Sequence, residues 1–184
     1  QREAKIHWLR VWMLQRGYDK MLLSSLDEIA WLLNVRASDI DYNPLVISYL
    51  VVSQDYVRWF VKKPELYESD CPDTWDSFEE LEQDGVEIWA YDEVFGGLSE
   101  YDDDGTCETI FVDPSTLNSH IYSFIRKIFP DESVFCGTSP VILEKAVKTP
   151  GEIEHLRQTF VDDGVAMEKF LHWLYEFEYA QLEL

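Results

Sequence analysis

Apolar and polar positions alternate along this chain with two different periods, and the changes of period mark its elements. Ile6, Leu9, Met13 and Leu14 fall near one face of a helix over residues 2 to 16, which Gly17 closes as a C-terminal cap. Lys20 to Ser24 reads as a short strand, and Asp27 to Leu33 as a helical turn with Asp27 and Glu28 near its positive end. Pro44 opens the apolar run Leu45 to Val52, long enough for a buried central strand. Ser53-Gln54-Asp55 then turns the chain, and Tyr56 to Val61 returns as the second strand of a hairpin.

The polar stretch Lys62 to Asp76 carries Pro64 and Pro72 and is predicted as a loop. Ser77 to Gln83 is a short acidic helix ended by Gly85, Val86 to Ala90 a strand, and Glu93 to Leu98 a further helix. Tyr101-Asp102-Asp103-Asp104-Gly105 is a turn before the strand Thr109 to Val112. Pro114 starts a helix over roughly residues 115 to 128, with Ser115 near its cap. Ser133 to Cys136 is a last short strand, and Ile142 to Val147 a short helix.

Beyond Pro150 the strand signals stop. Ile153, Leu156, Phe160, Met167, Leu171 and Leu174 recur at helical spacing, with Phe170, Trp173 and Phe177 on a second flank. This is a long helix for which Gly164 is the one point of expected interruption. Its apolar surface exceeds what a solvated tail shows, so it expects a partner. The order of elements predicts an α/β sandwich around a mixed sheet, followed by a helical extension.

Composition narrows the partners. The chain has 184 residues, 46% of them hydrophobic and 15% aromatic, enough for a real core. Its 15 basic and 36 acidic residues give a net charge of −21, which disfavours nucleic acid and anionic membrane surfaces. Cys71, Cys107 and Cys136 are odd in number and lack metal-ligand spacing, as expected of reduced thiols in a cytosolic protein. No apolar run reaches the length of a membrane span. The chain begins at Gln1 and ends still helical in character, so both ends are expected to continue into a longer protein.

Candidate chemistry is sparse. His7, His120, His155 and His172 form no HExxH; His172 and Glu176 share a helix face and read as a surface pair, and His155 as a solvated helix residue. Asp102-Asp103-Asp104-Gly105 resembles a calcium loop only faintly, because Cys107 and Asp113 stand where Gly and Glu are needed. No nucleotide-binding or nucleophile-elbow motif is present. The segment after Trp31 is rich in side chains that make directional hydrogen bonds. Arg36, Asp39, Tyr42 and Asn43, with Trp31, are the candidates for an exposed rim. On residue chemistry alone the same segment reads as a loop folded on itself through Asp39 and Asn43 caps and an Arg36–Asp39 pair.

The stretch Ser25-Leu26-Asp27-Glu28-Ile29-Ala30-Trp31-Leu32-Leu33-Asn34-Val35-Arg36-Ala37-Ser38-Asp39, followed by Tyr42-Asn43-Pro44, resembles a signature of the Xaa-Pro aminopeptidases (aminopeptidase P). Gly85-Val86-Glu87-Ile88 with Tyr91-Asp92-Glu93-Val94-Phe95 is similar to their GVEIRPYDEIF. Val112-Asp113-Pro114-Ser115-Thr116 is similar to their VDPST, and Ser139-Pro140-Val141 to their SPV. Ala146 to Glu154 and Asp162 to Ala166 resemble the passage into the catalytic domain. One departure is visible: the family's Arg-Gly-Ser-Asp reads Arg36-Ala37-Ser38-Asp39, so a glycine at positive φ there would leave Ala37 strained.

The resemblance implies a creatinase/prolidase N-terminal-type α/β domain, with a ribonuclease H-like mixed sheet flanked by helices and a long C-terminal helical extension. Residues 1–148 would be the second domain of a three-domain enzyme, and 149–184 the linker and first helix or helices of its pita-bread catalytic domain. That parent is a hydrolase with two divalent metal ions, usually manganese, which releases an N-terminal residue preceding proline. Its metal ligands lie farther along than Leu184, so the resemblance implies no catalytic residue, metal or cofactor in this chain and an inactive fragment. Trp31, Arg36, Asp39, Tyr42 and Asn43 are the expected edge of the substrate cleft. Expected partners are the remaining domains, a proline-containing peptide in the parent, and a second copy through residues 152–184; nucleic acid and membrane are not expected. The expected location is cytoplasmic. The alternative is an interaction module of a catalytically dead relative. A nuclease using Asp39, Asp41 or Asp113 is a third reading, which the acidic charge opposes.

Overall fold

The structure, a computed structural model, describes residues 2–62, 73–99 and 108–182. Its contacts divide the chain into two units, Gln1–Lys145 and Ala146–Leu184. The first contains helices α1 (Arg2–Leu14), α2 (Leu26–Leu33), α3 (Asp73–Gln83), α4 (Val94–Ser99) and α5 (Ser119–Ile128), with α6 (Pro140–Ala146) at its end. Between them run strands β1 (Lys20–Leu23), β2 (Ser48–Ser53), β3 (Val57–Val61), β4 (Val86–Ala90), β5 (Ile110–Val112) and β6 (Val134–Cys136). The second unit is one helix, α7 (Pro150–Leu182).

The strands form one mixed sheet in the order β4-β3-β2-β1-β5-β6. β2 alone is antiparallel to its neighbours, so the carboxyl ends of the other strands emerge at the same edge, where β2 begins. Central strands buried on both faces read as continuous apolar runs, and period two then assigns each side chain to a face. Met21, Leu23, Leu50, Val52 and Trp59 meet Ile6, Leu9 and Met13 of α1 and Ile29, Leu32 and Leu33 of α2. Leu22, Val51, Phe60, Ile110 and Val112 meet Val94 and Leu98 of α4 and Ile121 and Ile125 of α5. The result is the α/β sandwich that the pattern predicted.

Several boundaries differ from expectation, each for a local reason. Gly17 does take the left-handed conformation (φ 71°), with the Tyr18 N–H donating to the Met13 carbonyl at 3.0 Å. β2, however, starts at Ser48 instead of Leu45, because the Ile47 N–H donates to the Asp39 carboxylate at 2.9 Å and not to a neighbouring strand. α3 begins at Asp73, inside the stretch expected to be loop. α5 begins at Ser119, capped by Asn118 and not by Ser115. The Asp113 carboxylate accepts from both the N–H and the hydroxyl of Ser115, which commits Ser115 to a turn. The acidic turn Tyr101 to Gly105, Cys71 and Cys107 lie outside the described residues.

α7 is continuous through Gly164, so the expected interruption does not occur. One helical glycine costs only about 1 kcal/mol relative to alanine. Ile153, Leu156, Phe160, Met167, Phe170, Leu171, Trp173, Leu174 and Phe177 are all exposed. His172 and Glu176 lie 3.4 Å apart as an exposed pair.

Gly97 gives the fold a sharp test. A Cβ built there would sit 2.5 Å from Cζ of Phe60, a ring with no exposed surface. Gly97→Ala is therefore expected to destabilise by about 1–3 kcal/mol through overpacking, despite alanine's better helix propensity. Gly96, on the same helix with nothing within 4 Å, serves as the control. Gly96→Ala should be neutral or slightly stabilising in the same urea titration.

Candidate functional site

In open α/β sheets, ligand-facing groups gather outside the carboxyl ends of the strands, and here two polar groupings lie at that edge and another on the segment that leads to it. The first is the connection from α2 to β2. α2 stops at Asn34, which is left-handed (φ 57°), and the Val35 N–H donates back to the Ala30 carbonyl at 3.1 Å. The Arg36 guanidinium donates to the carbonyls of Ala30 (2.8 Å) and Val35 (2.7 Å), placing its charge on the negative end of α2. Asp39 accepts from Ile47 N. Ile40 and Asn43 bridge a tight turn in which Tyr42 takes φ 63° and its side chain is fully exposed.

The five predicted rim residues thus lie on one segment but do not form one surface. Trp31 is half-buried, with Lys5 Nζ 4.3 Å above its ring and bonded to its carbonyl at 2.6 Å. Arg36 and Asp39 spend their polar groups on backbone, so the expected Arg36–Asp39 pair is not what folds the loop. Tyr42 and Asn43, with Asp41, face solvent. Ala37 is not among the residues at positive φ, which are Asn34 and Tyr42, so the replaced glycine leaves no strain there. A tyrosine held at positive φ is unfavourable, and such outliers concentrate where a side chain must be presented.

The second grouping was missed from the sequence. Glu28 (1% exposed), Ser139 (2%) and Asp113 (6%) meet beneath the carboxyl ends of β1 and β5. The Ser139 hydroxyl bonds to the Glu28 carboxylate, and the Asp113 carboxylate accepts from Ser139 N at 2.8 Å and Ser115 N at 2.9 Å. Asp27 pairs with Lys145 and accepts from the Ser25 hydroxyl at 2.5 Å. Burial pushes the Glu28 carboxyl above its ordinary value, against the Ser139 hydrogen bond. Burial acts the same way on Asp27 and Asp113 but is outweighed, by Lys145 and Ser25 for Asp27 and by Ser115 and Ser139 for Asp113. Both therefore sit below the usual aspartate range. The signal was available: Leu26-Asp27-Glu28, Val112-Asp113-Pro114-Ser115-Thr116 and Ser139-Pro140-Val141 are three of the resemblance motifs. They meet in space.

A third grouping joins Tyr49, Tyr91 and Asn118. The two rings stack at 5.2 Å, and Asn118 Nδ2 donates to the Tyr49 hydroxyl at 2.8 Å. Burial and the Tyr49 hydroxyl push the Tyr91 phenol up to about 12, so it is neutral throughout the physiological range.

None of these groupings suits a metal. Among the described residues, no three His, Cys, Asp or Glu side chains converge to hold an ion. The buried carboxylates of Glu28 and Asp113 are already bonded to serine hydroxyls and backbone N–H groups. No helix among the described residues is long and apolar enough to cross a membrane.

Comparison with known proteins agrees with this geometry. The family model of the creatinase/prolidase N-terminal domain matches residues 1–152. Xaa-Pro aminopeptidase 1 of Dictyostelium discoideum is 33% identical over 176 residues, covering 96% of this chain and 26% of that protein. A probable Xaa-Pro aminopeptidase P of Coprinopsis cinerea is 35% identical over 165 residues, covering 84% and 25%. Among solved structures, the X-prolyl aminopeptidase of Caenorhabditis elegans, described as a cytosolic enzyme with a di-nuclear active site, superposes with a TM-score of 0.81. It is 29% identical, over 96% of this chain and 27% of that one. The chain therefore spans about a quarter of the relatives it matches.

Proposed function

This chain belongs to the creatinase/prolidase N-terminal domain family, and from that premise we propose that it is the non-catalytic middle domain of an Xaa-Pro aminopeptidase. The observation that carries this reading is the coverage: nearly the whole chain aligns with only about a quarter of enzymes bearing that name. We read residues 1–148 as the middle domain and 149–184 as the linker and opening helix of the catalytic domain. In the parent, two divalent metal ions, which we take to be manganese, would be held by that catalytic domain and by no residue of this chain. The C. elegans neighbour's di-nuclear active site and cytosolic setting support the same assignments, including a cytoplasmic location.

The role proposed for this chain is to wall the substrate cleft and to seat the remaining domains. Of the five rim residues we take the exposed Tyr42 and Asn43 as those that meet a proline-containing peptide, on a loop that Arg36 and Asp39 tie to the backbone, with Trp31 at the base of the edge. Incubated with manganese and an Xaa-Pro peptide, the 184-residue chain is expected to release no amino acid. Metal-dependent release of the first residue would overturn the reading. In the parent enzyme, Tyr42→Ala should raise KM for such a peptide with kcat little changed; an unaltered KM would remove Tyr42 from the cleft. Self-association through residues 152–184 is part of the same proposal.

A further inference from the structure

α6 is attached to the first unit in an unusual way. Of its seven residues only Val141 is fully buried, while Leu143 is 75% exposed. One buried valine is a weak hydrophobic anchor for a whole helical turn and its flanks. Polar attachments sit at both ends of the helix. At its start, the Ser139 hydroxyl accepts from Val141 N at 3.3 Å and bonds Glu28, while Ser139 N donates to Asp113 at 2.8 Å. At its end, Lys145 pairs with Asp27. Two consecutive residues in the first turn of α2 thus hold both ends of α6.

We infer that α6 is a latch, docked by the Glu28–Ser139 and Asp27–Lys145 contacts and opening as a unit while the sheet stays folded. Buried polar contacts of this kind do not weaken gradually, because parting Ser139 from Glu28 strands both groups until water reaches them. That favours two discrete states over a continuous loosening. α6 is also the last element before Val147–Thr149 and α7, so its opening would lengthen the connector between the two units.

The latch is linked to pH through the same groups. The charges acting on Glu28 are Asp27 on its own helix, Lys145 on α6 and Asp113 after β5. Docked, Glu28 has its carboxyl above the ordinary 4.5; released into water it returns toward that value. The docked state therefore holds the proton more tightly, and docking weakens as pH rises from the ordinary value through the raised one. Asp27 and Asp113 lie below their ordinary 3.8 and stay ionised across this window.

Hydrogen exchange on the whole chain, read peptide by peptide and corrected for intrinsic rates, tests the latch. The α6 amides should open at least about tenfold more often than those of β1 and β2. Ser139→Ala should accelerate α6 about tenfold more with β1 and β2 unchanged. As pH rises above the ordinary carboxyl range the protection of α6 should fall in the parent sequence and stay flat in Glu28→Gln, which keeps an acceptor but cannot titrate. Lys145→Met, at the partly exposed end, should also loosen α6 selectively and serves if Ser139→Ala folds poorly. Protection of α6 equal to that of β1 and β2, acceleration of all three together, or a pH slope that survives in Glu28→Gln would each overturn the inference.

Discussion

Lys20→Met is expected to destabilise the first unit by about 3–5 kcal/mol, although it replaces a charge with an apolar side chain in the middle of a sheet. Lys20 opens β1, is 1% exposed, and pairs with Glu108, itself 4% exposed. Its ammonium also lies 5.6 Å from the centre of the Tyr56 ring. Burial alone would drive the Lys20 proton off, but the hydrogen bonds to Glu108 and Tyr56 outweigh it and hold the amine above its ordinary value. Removing the lysine leaves the Glu108 carboxylate buried without its main counter-charge. A folded pKa raised above 10.5 means that the lysine's share of stability is present below that pH and lost only at strongly alkaline pH. The loss in Lys20→Met should be no larger at pH 6 than at pH 8, because a buried carboxylate without its counter-charge is relieved by taking up a proton. Lys20→Met combined with Glu108→Leu should recover most of the stability, because the pair then has no charge to desolvate. Urea titration of the two variants decides the matter. A single mutant within about 1 kcal/mol of the parent would sink the argument, as would a double mutant no better than the single.

The same pair shows where sequence reading stops. β1 and β5 were legible because buried strands announce themselves as short apolar runs, and the two cores follow from period two. That Lys20 and Glu108 meet was not legible, because Glu108 lies just before β5, far along the chain from β1, and is brought to Lys20 by the parallel pairing of β1 with β5. Glu28, Asp113 and Ser139 each lay in a visible motif, but that the three motifs meet was hidden in the same way, because they are far apart in the chain. Asp113 also misled locally: its bond to Ser115 moved the start of α5 to Ser119, against a cap preference that was reasonable for the sequence alone. The loop after α2 was half legible. Its residues make many directional bonds, but which of Arg36, Asp39 and Tyr42 point outward depends on the left-handed conformations at Asn34 and Tyr42.

Deleting residues 152–184 is expected to convert a concentration-dependent dimer of this chain into a monomer. The apolar residues of α7 fit a seven-residue repeat. Ile153, Phe160, Met167 and Leu174 occupy one position, and Leu156, Asp163, Phe170 and Phe177 the other. All but Asp163 of this seam are large, exposed apolar side chains, and Trp173 stacks on Phe170 and Phe177 beside it. An isolated helix gains little from such a stripe until a second surface covers it. Charge works the other way, since α7 carries seven acidic and two basic residues and the chain a net −21. Two copies therefore attract through the seam and repel through the flanks, and added salt should tighten the dimer by screening the repulsion. Asp163 places a carboxylate inside the seam, where each copy would present it to the other; Asp163→Leu should strengthen association and Leu174→Glu weaken it. Sedimentation equilibrium separates the cases. A monomer at high concentration and high salt, or a mass unchanged by the deletion, would show that the stripe is not covered by a second copy.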